Sequence, residues 1–299
     1  MDNIVMLFIC LVLGIILRVT KIVPDNTHVG LNAFIVNVSL PSLTLIQIHA
    51  VHLSSSLIFA VLMPWLLFAL GVLLFGTIGH WLQLPKTTIG ALIVAGSLGN
   101  TSFIGLPMIE SFYGASGMPI GIIIDQLGTY LVLSTIGILI VCIYAEGNVT
   151  SRDVIRRILT FPPLLGLVVA LVLLPVSYPA WLTSTLTRLG GTLAPLALVS
   201  VGLQLRLDAF KGNRRFLLAG LSYKLLIAPA LIAIIYFEML GLRGRTVEIT
   251  LFEAAMAPQI GGSIVAIQYG LNAPLITLMV GIGTIVSFFT LPMWWYYYH

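Results

Sequence analysis

Gly96-Ser97-Leu98-Gly99-Asn100-Thr101-Ser102-Phe103-Ile104-Gly105-Leu106-Pro107 and Glu253-Ala254-Ala255-Met256-Ala257-Pro258-Gln259-Ile260-Gly261-Gly262-Ser263 are two stretches of one kind. Each sits in the middle of an apolar run long enough to be a helix, and each is crowded with Gly, Pro and small polar residues. Proline removes a backbone donor and clashes with the preceding turn, while glycine weakens a helix interior. Where the surroundings are lipid, each backbone group left unpaired costs several kcal/mol. Such interruptions persist only where protein, water or a bound solute satisfies them.

The surroundings are lipid. Of 299 residues, 59% are hydrophobic and 8% charged, with a mean hydropathy of +1.10. Soluble domains carry about 25% charged residues. A helix needs about 20 apolar residues to cross a bilayer. Breaks at charges and turns give ten candidate spans, near 3–22, 28–49, 55–82, 87–113, 117–146, 161–181, 185–206, 214–239, 246–270 and 273–298. The first lacks a basic leader region and a small-residue cleavage site, so it reads as a retained span. Cys10 and Cys142 lie within apolar runs and read as small hydrophobes.

Basic residues set the orientation. With the N-terminus outside, the inner loops hold Arg18, Lys21, Lys86, Arg152, Arg156, Arg157, Arg206, Lys211, Arg214 and Arg215. The outer segments hold Arg188, Arg243 and Arg245. Both termini are therefore expected outside, in a multi-pass protein of the cell (inner or plasma) membrane. The pI near 9.2 comes from this loop asymmetry and not from a nucleic-acid-binding face. The Asn148-Val149-Thr150 sequon falls in an inner loop and is not expected to be modified.

An internal repeat runs through the chain. Tyr113-Gly114, Met118-Pro119 and Gly128-Thr129 recur as Tyr269-Gly270, Ala273-Pro274 and Gly283-Thr284. Pro41 recurs as Pro195 and Pro64 as Pro229. Five spans is an odd number, so the second copy is inverted relative to the first. The expected fold is an all-α polytopic membrane protein of ten transmembrane helices in two inverted five-helix repeats, with the fourth and ninth helices broken. The repeats occupy residues 1–146 and 161–299, with a cytosolic linker at 147–160. Paired Gly/Pro-interrupted helices in such repeats point to a transport site. Half-helix N-termini offer positive dipole ends and free N–H groups to an anion. Asn100, Thr101, Ser102, Gln259, Gly261, Gly262 and Ser263 are the candidate solute-binding residues, with Gly105, Pro107, Pro258 and Pro41 as helix-breaking positions.

The run Gly99-Asn100-Thr101-Ser102-Phe103-Ile104-Gly105-Leu106-Pro107-Met108, followed by Phe112-Tyr113-Gly114, resembles the fourth-helix signature of the auxin efflux carrier family. Leu31-Asn32-Ala33-Phe34 through Leu40-Pro41, Lys224-Leu225-Leu226 before Pro229, and Ala255 to Tyr269 support it across nearly the whole chain. The family comprises PIN-like plant exporters and bacterial malonate-type carriers, within the bile-acid:sodium-symporter-like fold superfamily. The resemblance implies crossing fourth and ninth helices and a scaffold of helices 1, 2, 6 and 7. It further implies a transport domain of helices 3–5 and 8–10, elevator-like motion, and organic anions, mostly carboxylates, as solutes. It leaves a homodimer through the scaffold helices open. The long cytosolic loop of the plant exporters is absent. Gly261-Gly262 stands where the plant pattern has proline, which points away from auxin itself.

Ionisable residues at membrane depth are costly and functional by default. Asp125, Lys224 and Glu253 are such residues, as ligands for a coupling H⁺ or Na⁺, as a partner for a solute carboxylate, or as an internal ion pair. Glu110, Glu238 and Glu248 lie nearer helix ends. His49 and His52 have a weak metal spacing with no further ligand nearby, and His28 and His80 read as interfacial. The tail Trp294-Trp295-Tyr296-Tyr297-Tyr298 reads as an interfacial aromatic belt. No Gly-x4-Gly-Lys-Ser/Thr loop and no nucleophile–base constellation is visible, so neither an ATPase nor another enzyme is expected. No cofactor is expected either. The expected function is a secondary carrier for a small organic anion. The alternatives are a Na⁺- or H⁺-coupled carrier of the same superfamily, or a sensor on a transporter-like fold.

Overall fold

The computed structural model describes residues 2–49, 57–145, 155–156, 159–160, 162–204 and 210–298. His52, the Asn148 sequon, Arg206 and most of the 147–160 linker lie outside the described residues. Among those described, the chain is helical, with one isolated antiparallel bridge and no strand.

The helices in chain order are α1 (Asp2–Val19), α2 (27–49), α3 (Ile58–Trp81), α4 (Lys86–Ser97), α5 (101–113), α6 (Met118–Tyr144), α7 (Pro162–Val172), α8 (180–204), α9 (210–239), α10 (Arg245–Ala254), α11 (Ile260–Gln268) and α12 (Ala273–Tyr298). Six of them contain stretches long and apolar enough to cross a membrane: Thr27–Ile46, Ile58–Trp81, Met118–Tyr144, Ala180–Leu203, Gly212–Met239 and Ala273–Tyr298. The protein is thus a multi-pass membrane protein. Residues 87–113 and 246–270, each expected as one span, are two shorter helices apiece, because Gly99 and Pro258 stop the helix where the sequence is interrupted.

The chain divides into two compact units, residues 1–52 with 148–205, and residues 53–147 with 206–299. In the first, α1 packs on α8 through glycines. A Cβ on Gly202 would run into the Leu11 carbonyl oxygen and lie 2.8 Å from the Gly14 Cα. Helices in lipid gain little from burying apolar surface against one another, so close backbone approach through small residues takes its place. Polar contacts add to it: Ser200 Oγ donates to Asn32 Oδ1 at 2.5 Å, and the Ser39 and Thr192 hydroxyls meet at 2.8 Å. Pro41 packs here, its Cα 3.0 Å from a Cβ built on Gly166.

The second unit holds both interrupted segments. Its long helices carry wide turns of the i→i+5 kind, at Ile124–Tyr130 and Leu133–Gly137 in α6 and at Tyr223–Ile227 and Ile234–Met239 in α9. Such turns gather at functional sites. Pro229 in α9 has no N–H for the carbonyl of Leu225, four residues back. Trp294 Nε1 of α12 donates to that carbonyl at 2.8 Å. The terminal aromatic cluster is therefore divided. Trp294 and Tyr298 are buried, at 8% and 6% exposure, while Tyr296 and Tyr297 face outward at 82% and 69%. Only outward-facing residues such as this pair are placed to serve as the expected belt. Trp294 satisfies the carbonyl freed by Pro229 and Tyr298 donates to the Pro229 carbonyl at 3.4 Å, roles that apolar periodicity alone does not reveal.

Two substitutions test this packing in purified protein. Gly202→Val is expected to destabilise by about 1–3 kcal/mol through overpacking and lower the melting temperature in detergent. An unchanged melt would remove the α1–α8 close approach. Trp294→Phe keeps the ring but orphans the Leu225 carbonyl, at an expected ~1–3 kcal/mol, whereas Tyr296→Phe is expected to leave the melt where it was.

Candidate functional site

The two interruptions meet. Asn100 N donates to Ala257 O at 2.8 Å and Gln259 N donates to Leu98 O at 3.0 Å, with Gly99 and Pro258 facing each other as an antiparallel pair. Residues paired this way exchange no hydrogen bond with each other and stand close, about 4.5 Å between Cα atoms. Proline's missing N–H is harmless at such a position. Each break thus supplies the backbone partners that the other lacks.

Four helix ends converge there: the C-termini of α4 and α10 and the N-termini of α5 and α11. An α-helix leaves its first N–H groups and its last C=O groups without internal partners, with partial positive and negative charge respectively.

At the α5 N-terminus the protein supplies its own carboxyl group. Asp125, on the first wide turn of α6, is buried and accepts from Thr101 Oγ1 at 2.5 Å, from Gln126 Nε2 at 2.6 Å, and from the Ser102 side chain. Asn100 Oδ1 caps the same helix, accepting from Phe103 N at 3.1 Å. At the α10 C-terminus the protein supplies its own amine donor. Lys224, fully buried on α9, donates from Nζ to Ala254 O at 2.8 Å.

The α11 N-terminus has neither. Gln259 precedes it in extended conformation (ψ 130°) with no side-chain cap. Ser263 N donates to Gln259 O at 3.3 Å, which leaves the N–H groups of Ile260, Gly261 and Gly262 in the open first turn. Gln259 Oε1, Ser263 Oγ and Asn100 Nδ2 are buried and have no hydrogen-bond partner. A Cβ on Gly262 would lie 2.7 Å from Gln259 Oε1, so the glycine keeps that amide close to the helix start.

Glu253, in the last turn of α10, completes the polar set. It is fully buried, and neither carboxylate oxygen has a hydrogen-bond partner. The carboxylate presses on α5, where a Cβ at Gly105 would stand 2.6 Å from each of its oxygens.

The candidates from the sequence therefore separate. Asn100, Thr101, Ser102 and Gly105 lie with Asp125 and Glu253 on the α5 side. Gln259, Gly261, Gly262 and Ser263 lie at the start of α11, and Gly99 and Pro258 pair between the two sides. Pro107 falls in the first turn of α5's regular portion, and Pro41 lies in the other unit. Gln126 is the residue that sequence reasoning missed. Its place next to Asp125 was visible, but the wide turn that lets neighbours share a carboxylate was not. Of the outer acids, Glu110 is exposed and Glu238 forms a 3.8 Å surface ion pair with Arg243. His49 stacks on Tyr178 with ring centroids 4.5 Å apart. Cys10 and Cys142 are buried, with no disulfide.

Known proteins resemble this chain along nearly its whole length. An uncharacterized transporter of Methanothermobacter thermautotrophicus is 29% identical over 300 residues, covering 98% of this chain and 96% of its own. An uncharacterized transporter of Methanocaldococcus jannaschii is 22% identical over 303 residues, covering 98% and 97%. The family described as membrane transport protein matches residues 1–295. The chain belongs to this auxin efflux carrier-like family of membrane transporters.

Proposed function

We propose that the protein is a secondary carrier for a small organic anion of the carboxylate class, which it binds at the start of α11. One observation carries this reading. Of the two helix N-termini at the paired breaks, α5 already faces the Asp125 carboxyl, whereas no acid is hydrogen-bonded at the start of α11 among the described residues, and Gln259 and Ser263 there carry unpartnered polar atoms. An anion beside Thr101 and Ser102 would compete with Asp125 for the same hydroxyls. At α11 it meets free N–H groups, the positive end of a helix dipole and the Gln259 and Ser263 side chains. Lys224, at the neighbouring helix end, adds a positive charge on the same side of the balance.

The two segments cross in the middle of ten membrane passes, counting each interrupted pair as one pass, in two inverted five-helix repeats. The termini face outward across the cell membrane. The unit holding the breaks moves as one body and carries the solute with it, in the elevator manner that the family resemblance implies. Gradients or the membrane potential supply the energy.

A panel of mono- and dicarboxylates, malonate among them, titrated onto purified protein tests the reading. Gln259→Ala and Ser263→Ala are each expected to weaken binding about 10- to 100-fold, the loss of one hydrogen bond to a charged group, with an unchanged melt. Thr101→Val is expected to act through Asp125 and lower the melting temperature instead. Wild-type affinity in both α11 variants would remove the anion from that helix start. Asn100→Ala is expected to abolish uptake, and because it also deletes the α5 cap it should cost about 0.5–2 kcal/mol of stability.

A further inference from the structure

Two buried carboxylates share the second unit, and their surroundings are opposite. Asp125 has three side-chain donors and a helix start. Such a site is built to hold a charge. Glu253 has no donor among the described residues. Its carboxylate lies in a slot made by glycines and apolar ends: both oxygens sit against Gly105. A Cβ on Gly121 would lie 3.6 Å from Oε1 and 3.0 Å from Leu106 Cδ2, with the end of Ile109 nearer still. An ionised carboxylate in that slot has nothing but distant charge to compensate its lost hydration.

The slot is also a poor metal cage. Hard cations take six or more oxygen ligands. The Glu253 oxygens lie against the helical glycines Gly105 and Gly121, and no group of three or more His, Cys, Asp or Glu among the described residues could hold a metal ion. A proton needs only the carboxylate.

The neighbours fix the charge balance. The charges acting on Glu253 are those of Asp125 on α6 and Lys224 on α9. Other titratable groups on the helices around it are engaged elsewhere or lie at helix ends. Tyr113 of α5 packs on Phe252, Tyr223 and Tyr236 of α9 donate to Leu67 O and Phe59 O, His80 ends α3, and Tyr298 ends α12. With Asp125 and Lys224 charged, the buried set carries one net negative charge when Glu253 is ionised and none when it is protonated.

We propose that Glu253 takes up one exchangeable proton from water, H⁺ adding to its carboxylate to give the neutral acid, and that this proton is co-transported with the anion. The coupling rests on the carrier reading above. An anion at the α11 start adds negative charge near the Gly99–Pro258 pair, where Lys224 Nζ lies 3.3 Å from the position of a Cβ on Gly99. A proton on Glu253 leaves the Lys224 charge free to face that anion. By linkage, solute and proton then stabilise each other's binding.

The proton site is tested without any substrate, by infrared difference spectroscopy on the purified full chain stepped between acid and alkaline buffer. A protonated-carboxylic-acid band is expected to titrate, to shift on ¹³C-carboxyl labelling of glutamate, to vanish in Glu253→Gln and to survive in Asp125→Asn. A band that ignores the glutamate label, or that vanishes with Asp125→Asn and not with Glu253→Gln, would overturn it. The chain has four other glutamates, so the label alone does not assign the band. Glu253→Asp keeps a carboxyl at the position, and loss of the glutamate-label shift in that variant keeps the test decisive should Glu253→Gln fold poorly. Coupling is read in proteoliposomes with malonate at clamped potential. Wild-type accumulation should rise by up to about tenfold per unit of inward-acid gradient, the limit for one proton per solute. Glu253→Gln should lose that response. Accumulation driven by a Na⁺ gradient and indifferent to pH would overturn the coupling. A titrating glutamate in a protein that moves no carboxylate would instead sink the carrier reading and leave the proton site standing.

Discussion

A backbone away from water has to find its hydrogen bonds in protein, and in this chain the requirement is hardest at two places where the helix stops. The pairing of residues 98–100 with 257–259 answers it with two bonds, Asn100 N to Ala257 O and Gln259 N to Leu98 O. Much else in the second unit follows. The open side of Gly99 faces Lys224, the Pro258 ring packs on Gly283 of α12, and Pro258 stands where an N–H would have no partner to meet. Because the bonds run between the breaks, four helix ends are brought to one place. Their partial charges have to be matched by groups the sequence carries far apart.

Two of those ends are matched internally. Asp125 answers the positive end of α5 and Lys224 the negative end of α10. The charges that are so expensive at membrane depth are therefore structural in part: they complete helices that the interruptions would otherwise leave open. What distinguishes the start of α11 is the lack of such a counterpart beside polar groups already buried and unpaired. On the proposed reading, selectivity for negative charge needs no dedicated arginine and comes from which helix end the fold leaves unfilled.

The interrupted segments, their mutual correspondence and the three intramembrane charges were legible in the sequence, because glycine, proline and ionisable residues are conspicuous against a background of leucine, isoleucine and valine. The multi-pass class followed from composition in the same way. Which hydroxyl serves which partner was not legible. Thr101 and Ser102 looked equivalent to Ser263 as donors to a solute, yet two of the three are engaged by Asp125, across a separation of more than twenty residues. Wide helical turns were hidden too, since they change the angular order of side chains without changing residue type. Trp294 and Tyr296, two apart in the regular α12 helix, face opposite ways by helix geometry, and the sequence did not reveal which of them would turn inward to the freed carbonyl of Leu225.

The contact between Gly105 and Glu253 constrains how this protein can change over time. Any side chain at position 105 would occupy the space that the carboxylate now fills. A methyl at 105 would have to push the Glu253 carboxyl, the end of a flexible side chain, from where it now lies. Two positions almost half the chain apart thus share one small volume, and enlarging the first displaces the second.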